Sequence, residues 1–181
     1  MRTTKILAIA GSLRAASINA AFCRAAQRLA PEGVSVTLYT GLGDLPHYNF
    51  DLEDAVPERV IALRHAVAEA NALLIASPEY AHGVAGSLKN ALDWLVGFDG
   101  FVNKPIAVIN TSPRAHHAYD ALQETLRTMS ATMIGEGSMV VPLIGDCTTE
   151  DAIVRSVTAS SQVREILASV RAFVGLEATI P

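Results

Sequence analysis

Lys5-Ile-Leu-Ala-Ile-Ala-Gly-Ser-Leu-Arg-Ala-Ala-Ser-Ile-Asn19 is the stretch on which the reading of this chain turns. Its first part, Lys5 to Ala10, is an apolar run without helical spacing, as expected of a strand covered on both faces inside a parallel sheet. A polar loop follows, and then Ser17 to Leu29, where Ile18, Ala21, Phe22, Ala25, Ala26 and Leu29 recur at helical spacing before Pro31 and Gly33 close the segment. The order is strand, loop, helix.

Working outward, Val34 to Tyr39 alternates and is rich in β-branched residues, so it predicts a second, more peripheral strand. Gly41 and Gly43 open a long loop, Leu45 to Val56 has no clear period, and Pro57 suits the first turn of a helix running to about Ala70, with Asn71 as its stop. Ala72 to Ala76 is a third buried strand ending in the polar run Ser77 to Gly83, and Leu88 to Val96 is a short helix. A fourth strand is expected over Lys104 to Asn110, a helix over Ala118 to Met133, a fifth strand over Ser138 to Val141 and a last helix over Glu150 to Val174. Strands alternating with helices in this way imply an α/β three-layer sandwich with a parallel sheet and right-handed crossovers. Ligands in such sheets sit beyond the carboxyl ends of the strands, which directs attention to the loops after strands one, three and four.

At 181 residues the chain is expected to be one domain, residues 1–181. Half of it is hydrophobic and 18% is charged, with a mean hydropathy of +0.30, so it buries a sizeable core and disorder is excluded. A net charge of -4, with no basic run, argues against a nucleic-acid partner. Cys23 and Cys147 are far apart and show no metal or disulfide spacing, which fits a reducing, cytoplasmic setting. Arg14 cuts the N-terminal apolar run too short for a signal peptide, and no window is long and apolar enough to predict a membrane span.

The first loop places Ser12, Arg14, Ser17 and Asn19 around the start of the first helix. Unpaired backbone N–H groups and the helix dipole favour an anion there, and the side chains add hydrogen bonds and a planar cation. The plainer alternative is that Ser17 only caps the helix and Arg14 is a solvated loop charge. Neither the dinucleotide pattern G-x-G-x-x-G nor the triphosphate pattern G-x-x-x-x-G-K-[ST] is present, and Gly11 is the loop's one glycine. A monophosphate held mostly by side chains is the better match.

Gly11-Ser-Leu-Arg14 with Ser17 and Asn19, then Ser77-Pro-Glu-Tyr80, then Gly86-Ser-Leu-Lys-Asn-Ala-Leu-Asp-Trp94, resembles the NADPH-dependent FMN reductase family, whose members include chromate and quinone reductases and azoreductases. The resemblance implies a flavodoxin-like fold with a five-stranded parallel sheet in the order 2-1-3-4-5. It further implies bound FMN, NADPH or NADH as electron donor, a small-molecule electron acceptor and a homodimer or homotetramer. On the matching positions, Ser12, Arg14, Ser17, Ile18 and Asn19 would form the phosphate loop. Pro78, Glu79 and Tyr80 would line the flavin, Gly83 would allow a close backbone approach, and Ser112 would be a polar contact. Lys89, Asn90 and Asp93 are expected to brace a loop or meet another subunit, with Trp94 at the border of its helix's apolar stripe.

Two departures stand out. The glycine-rich third loop of many relatives is replaced by Thr111-Ser-Pro-Arg-Ala-His-His-Ala-Tyr119, whose Arg114, His116 and His117 narrow the site or contact a substrate, and Ala81 stands where an asparagine is frequent. The His116-His117 pair lacks partners at ligand spacing, so no metal is expected. His82 is either a proton donor to a reduced quinone or an ordinary loop histidine. With the cofactor carrying the hydride chemistry, no catalytic triad is required, and the expected cycle is ping-pong. The competing readings are a flavin-binding electron carrier or regulatory module without turnover, and a flavin-free enzyme using Asp44 or Glu79 as its acid-base group.

Overall fold

The computed structural model describes residues 3–135 and 139–177. β1 (Thr4–Ala10) is buried along nearly its whole length, and the loop after it ends at Ser17, whose Oγ accepts the N–H of Ala20 at 3.2 Å to cap α1 (Ile18–Arg28). β2 (Val34–Leu38) buries Val34 and Val36 while Ser35 and Thr37 face solvent, the alternation of a sheet edge. Pro57 precedes α2 (Glu58–Glu69), and every residue of β3 (Ala72–Ala76) is buried. A short antiparallel hairpin follows, β4 (Glu79–Tyr80) with β5 (Gly83–Val84), then α3 (Gly86–Asp93) and the fully buried β6 (Pro105–Asn110). The chain continues through α4 (His116–Thr128), β7 (Thr132–Met133), β8 (Met139–Val140), α5 (Glu150–Arg155) and α6 (Val157–Glu177).

All pairings in the main sheet are parallel, in the order β2-β1-β3-β6, with β7 and β8 sharing the fifth position. This is the flavodoxin-like order expected from the sequence. The period-two pleat sends Ile6, Ala8 and Ala10 of β1 into a core with residues of α1, α5 and α6, and sends Leu7 and Ile9 into a second core with residues of α2, α3 and α4. The sheet is therefore covered on both faces.

α3 spans Gly86–Asp93 where the sequence predicts Leu88 to Val96, and three further differences each have a local reason. The helix expected to reach Met133 starts at His116 and stops at Thr128, because Ser130 takes a φ of 61° and returns the chain to the sheet. The fifth strand is split: β7 pairs with Pro105 and Ile106, and β8 with Ile109 and Asn110. Ser138, the expected start of that strand, lies outside the described residues. The last helix is broken at Ser156, whose extended backbone ends α5 and whose Oγ accepts the N–H of Ala159 at 3.2 Å at the start of α6.

Trp94 is wholly buried rather than bordering its stripe, and its indole N–H donates to Pro46 O at 2.8 Å. Asn90 donates to the same carbonyl at 3.0 Å and accepts from Tyr48 N–H at 2.8 Å, so the polar face of α3 braces the loop after β2. Lys89 and Asp93 pair with each other at 2.6 Å. Among the described residues no helix is long and apolar enough to cross a membrane.

Cys23 lies fully buried on α1, and burial pushes its thiol from 9.0 up to about 12, whereas Cys147 is partly exposed. A thiol reagent at pH 8 should label Cys147 and spare Cys23 until denaturant is added, as peptide mass spectrometry will report. The raised thiol also means that its contribution to stability is intact below pH 9.0 and is lost as pH climbs toward about 12.

Candidate functional site

The carboxyl ends of β1 and β3 meet at Gly11. Its N–H donates to Ala76 O at 2.8 Å, its carbonyl accepts from Ser87 Oγ at 3.1 Å, and a Cβ added there would lie 2.6 Å from Ser77 Oγ and 3.2 Å from Ser77 Cα. Only glycine allows so close an approach. The two loops that diverge from this point, with the loop after β6, enclose a cavity of about 540 Å³ at the carboxyl end of the sheet. That volume lies within the usual range for small-molecule sites.

Ser12, Arg14, Ser17, Ile18 and Asn19 form one wall, Pro78, Glu79 and Tyr80 a second, and Ser112 belongs to a third. The structure thus brings these sequence-predicted residues together. It leaves out His82 and Gly83, which do not line the cavity. Gly83 pairs with Tyr80 in the hairpin and has no positive φ, whereas Gly11 is the glycine that a close approach within the protein requires.

Several of these side chains also hold the walls in place. Asn19 is buried, and its Oδ1 accepts from Thr111 Oγ1 at 2.9 Å, which ties the first loop to the third. Asn110 accepts from Ser112 N–H at 3.0 Å and donates to Ala115 O at 2.7 Å, shaping the loop after β6 as a compact turn. Glu79 Oε2 accepts from Ala118 N–H at 2.8 Å, so its carboxylate caps α4 and its charge is set against that helix's positive end. The Tyr80 and Ser12 hydroxyls lie 3.4 Å apart, linking the hairpin to the first loop.

The hairpin turn itself is strained. Ala81 and His82 take φ values of 49° and 60°, a left-handed pair of the kind that two-residue turns usually give to Asn-Gly. His82 stacks on His117 with centroids 4.2 Å apart, and His117 stacks on His116 at 4.1 Å, so the tip of the hairpin is clamped to the start of α4. That position favours the loop-histidine reading of His82. Among the described residues no group of three His, Cys, Asp or Glu is arranged to hold a metal ion.

Sequence reasoning passed over Leu143 and Ile144, which complete the cavity beyond β8. Leu143 N–H donates to Thr111 O at 3.0 Å, which fastens this segment to the third loop. The available signal was positional: they follow the fifth strand's carboxyl end, as the other loops follow theirs.

A doubly wound sheet of this strand order, with a cavity at its carboxyl edge, defines a flavodoxin-like protein. The chain belongs to the NADPH-dependent FMN reductase family, whose model matches residues 4–145. It is 40% identical over 111 residues to a 2-hydroxy-1,4-benzoquinone reductase of a Burkholderia species, and likewise 40% over 111 residues to an NAD(P)H-dependent FMN reductase of Pseudomonas aeruginosa. Each match covers 60% of this chain and 60% of the relative's own length. Among solved structures it is similar to FerB, a flavoenzyme NAD(P)H:(acceptor) oxidoreductase of Paracoccus denitrificans, with a TM-score of 0.77 and 28% identity, covering 94% of this chain and 98% of that one.

Replacing Gly11 with Ala should lower stability by about 1–3 kcal/mol, the usual cost of overpacking, read as an earlier midpoint in urea unfolding. Replacing Ala81-His82 with Asn-Gly should act in the opposite direction, raising stability by about 1 kcal/mol as the left-handed strain is relieved. An unchanged thermal midpoint in the second variant would show that the histidine stack compensates the strain in full.

Proposed function

We propose that this protein is an FMN-dependent oxidoreductase that takes two electrons from NAD(P)H and delivers them to a small acceptor of the quinone class in a ping-pong cycle. The observation that carries this reading is the donor set at the start of α1, opening into a cavity whose remaining walls come from the hairpin, the loop after β6 and the segment after β8. Ser12, Arg14 and the first-turn amides after Ser17 match a phosphate monoester, and Glu79, the one acid in the wall, is turned to the N–H of Ala118. The family membership and the reductase names of the relatives support the same activity.

FMN bound here supplies the hydride chemistry. The chain's own residues bind and orient. Arg14 would anchor the phosphate by charge, Pro78 to Tyr80 and Thr111 to Ala115, in the segments that follow the neighbouring strands β3 and β6, would border the ring, and the exposed Tyr80 and Ile144 would offer it apolar surface. Donor and acceptor use that face in turn, which is why the cycle is ping-pong. The acceptor range includes quinones, and extends in this reading to azo compounds, chromate and free flavin. We take the protein to work in the cytoplasm as a homodimer or homotetramer.

Protein loaded with FMN and desalted should keep its yellow colour and bleach on anaerobic addition of NADPH or NADH, with parallel double-reciprocal lines in steady state. Arg14→Ala should weaken FMN binding at least about tenfold, as the loss of a charge-assisted hydrogen bond implies. Unchanged affinity would move the phosphate elsewhere. Retained flavin that stays oxidised with both nucleotides would make the protein a carrier rather than a reductase.

A further inference from the structure

We infer that Arg114 selects the acceptor: its guanidinium recognises an anionic substituent on the molecule being reduced and favours acidic quinones over neutral ones. This deepens the reductase reading given above and rests on it.

Three charged side chains line the cavity, Arg14, Glu79 and Arg114. Glu79 is committed to the N–H of Ala118. Arg14 stands on the loop after β1, beside the first turn of α1, and with the free amides there it suffices for one phosphate. Arg114 stands on the loop after β6. Because β3 lies between β1 and β6, the two loop origins are two strand spacings apart, roughly 10 Å. Arg24, Arg28, Arg64 and Arg127 each have a carboxylate oxygen within 4.0 Å; Arg114, like Arg59, Arg155 and Arg164, forms no such pair among the described residues, and of these four only Arg114 lies at the cavity. A chain of net charge -4 thus keeps, in its ligand cavity, one permanent cation beyond the one the cofactor's phosphate requires.

The chemistry at the ring edge identifies what that cation faces. Thr111 to Ala115 border the same space as Pro78 to Tyr80, so whatever stacks on the ring meets Arg114 at its rim. A quinone bearing an ionised hydroxyl, carboxylate or sulfonate is attracted to the same position. The 2′-phosphate of NADPH is also an anion, but it lies at the far end of the dinucleotide from the nicotinamide. Arg114 therefore biases the open face toward an acceptor that carries a negative charge.

The test compares a naphthoquinone sulfonate with unsubstituted naphthoquinone as acceptors, using wild type, Arg114→Gln and Arg114→Lys, all loaded with FMN. The ratio of kcat/KM for the sulfonate to that for the neutral quinone should fall about ten- to a hundredfold in Arg114→Gln, the range for one hydrogen bond to a charged group. Arg114→Lys should restore part of it, and added salt should erode the ratio in wild type more than in Arg114→Gln. Calorimetric titration with naphthalene sulfonate, which accepts no electrons, should show weaker binding to Arg114→Gln without reliance on turnover. An unchanged ratio with unchanged sulfonate binding overturns the inference, as does a variant whose loss lies in discriminating NADPH from NADH. If wild type holds FMN but neither nucleotide bleaches it, the reductase reading fails, and the calorimetric comparison still decides whether Arg114 binds an aromatic anion.

Discussion

The contact between Gly11 and Ser77 is the constraint on which the rest depends. It allows the carboxyl ends of β1 and β3 to converge at backbone distance, with a hydrogen bond from Gly11 to Ala76 and a side-chain tie from Ser87 on α3. From that junction the first loop turns toward α1 and the second toward the hairpin, and the space between them is the cavity. Any Cβ at position 11 would press on Ser77 and force the loop after β1 and the segment after β3 apart.

Around that junction the walls are held mutually rather than separately. Asn19 joins the first loop to Thr111, Glu79 joins the hairpin to α4, and Leu143 joins the fifth-strand segment to the third loop. The polar groups that the sequence offers as ligand contacts thus divide their work. Ser17 and Asn19 spend hydrogen bonds on the scaffold, while Arg14 and Arg114 are the cations at the cavity, neither in an ion pair among the described residues. This division explains how a chain with little free acid in its cavity wall keeps a defined shape there: the capping and cross-loop bonds are internal, and the guanidiniums remain available.

The sequence was most legible where burial is two-sided. β3 is apolar throughout, and β1 and β6 are apolar apart from Thr4, Lys5 and Asn110 at their ends, because helices cover both sheet faces; their runs were visible without periodicity, and the loops after them were marked by position alone. β7 and β8 were less legible because two-residue strands carry no period, and Thr132-Met133 reads as a continuation of the helix until Ser130 is known to turn left-handed. The hairpin after β3 was hidden for a related reason: its turn is Ala-His, without the Asn-Gly signal that announces such turns. Within the site, Ser12, Arg14 and Tyr80 were found from their motifs, whereas Leu143 and Ile144 have no motif and enter the cavity only because β8 delivers them there. Glu79 was legible as a wall residue, but its service to α4 joins positions 39 apart in sequence and could be seen only in three dimensions.

The divided fifth strand has a consequence for how copies of this protein can meet. β6 offers its outer flank to two short pieces, one at each end, so that side of the sheet presents no long row of free amides and carbonyls for a foreign strand to zip onto. The opposite flank, β2, is a regular five-residue strand with Ser35 and Thr37 turned to water. The two margins therefore differ: one is interrupted by its own irregularity, and the other is a continuous strand. With a single continuous margin, pairing of two copies edge to edge through β2 closes on itself, so the sheet has no second edge along which to grow.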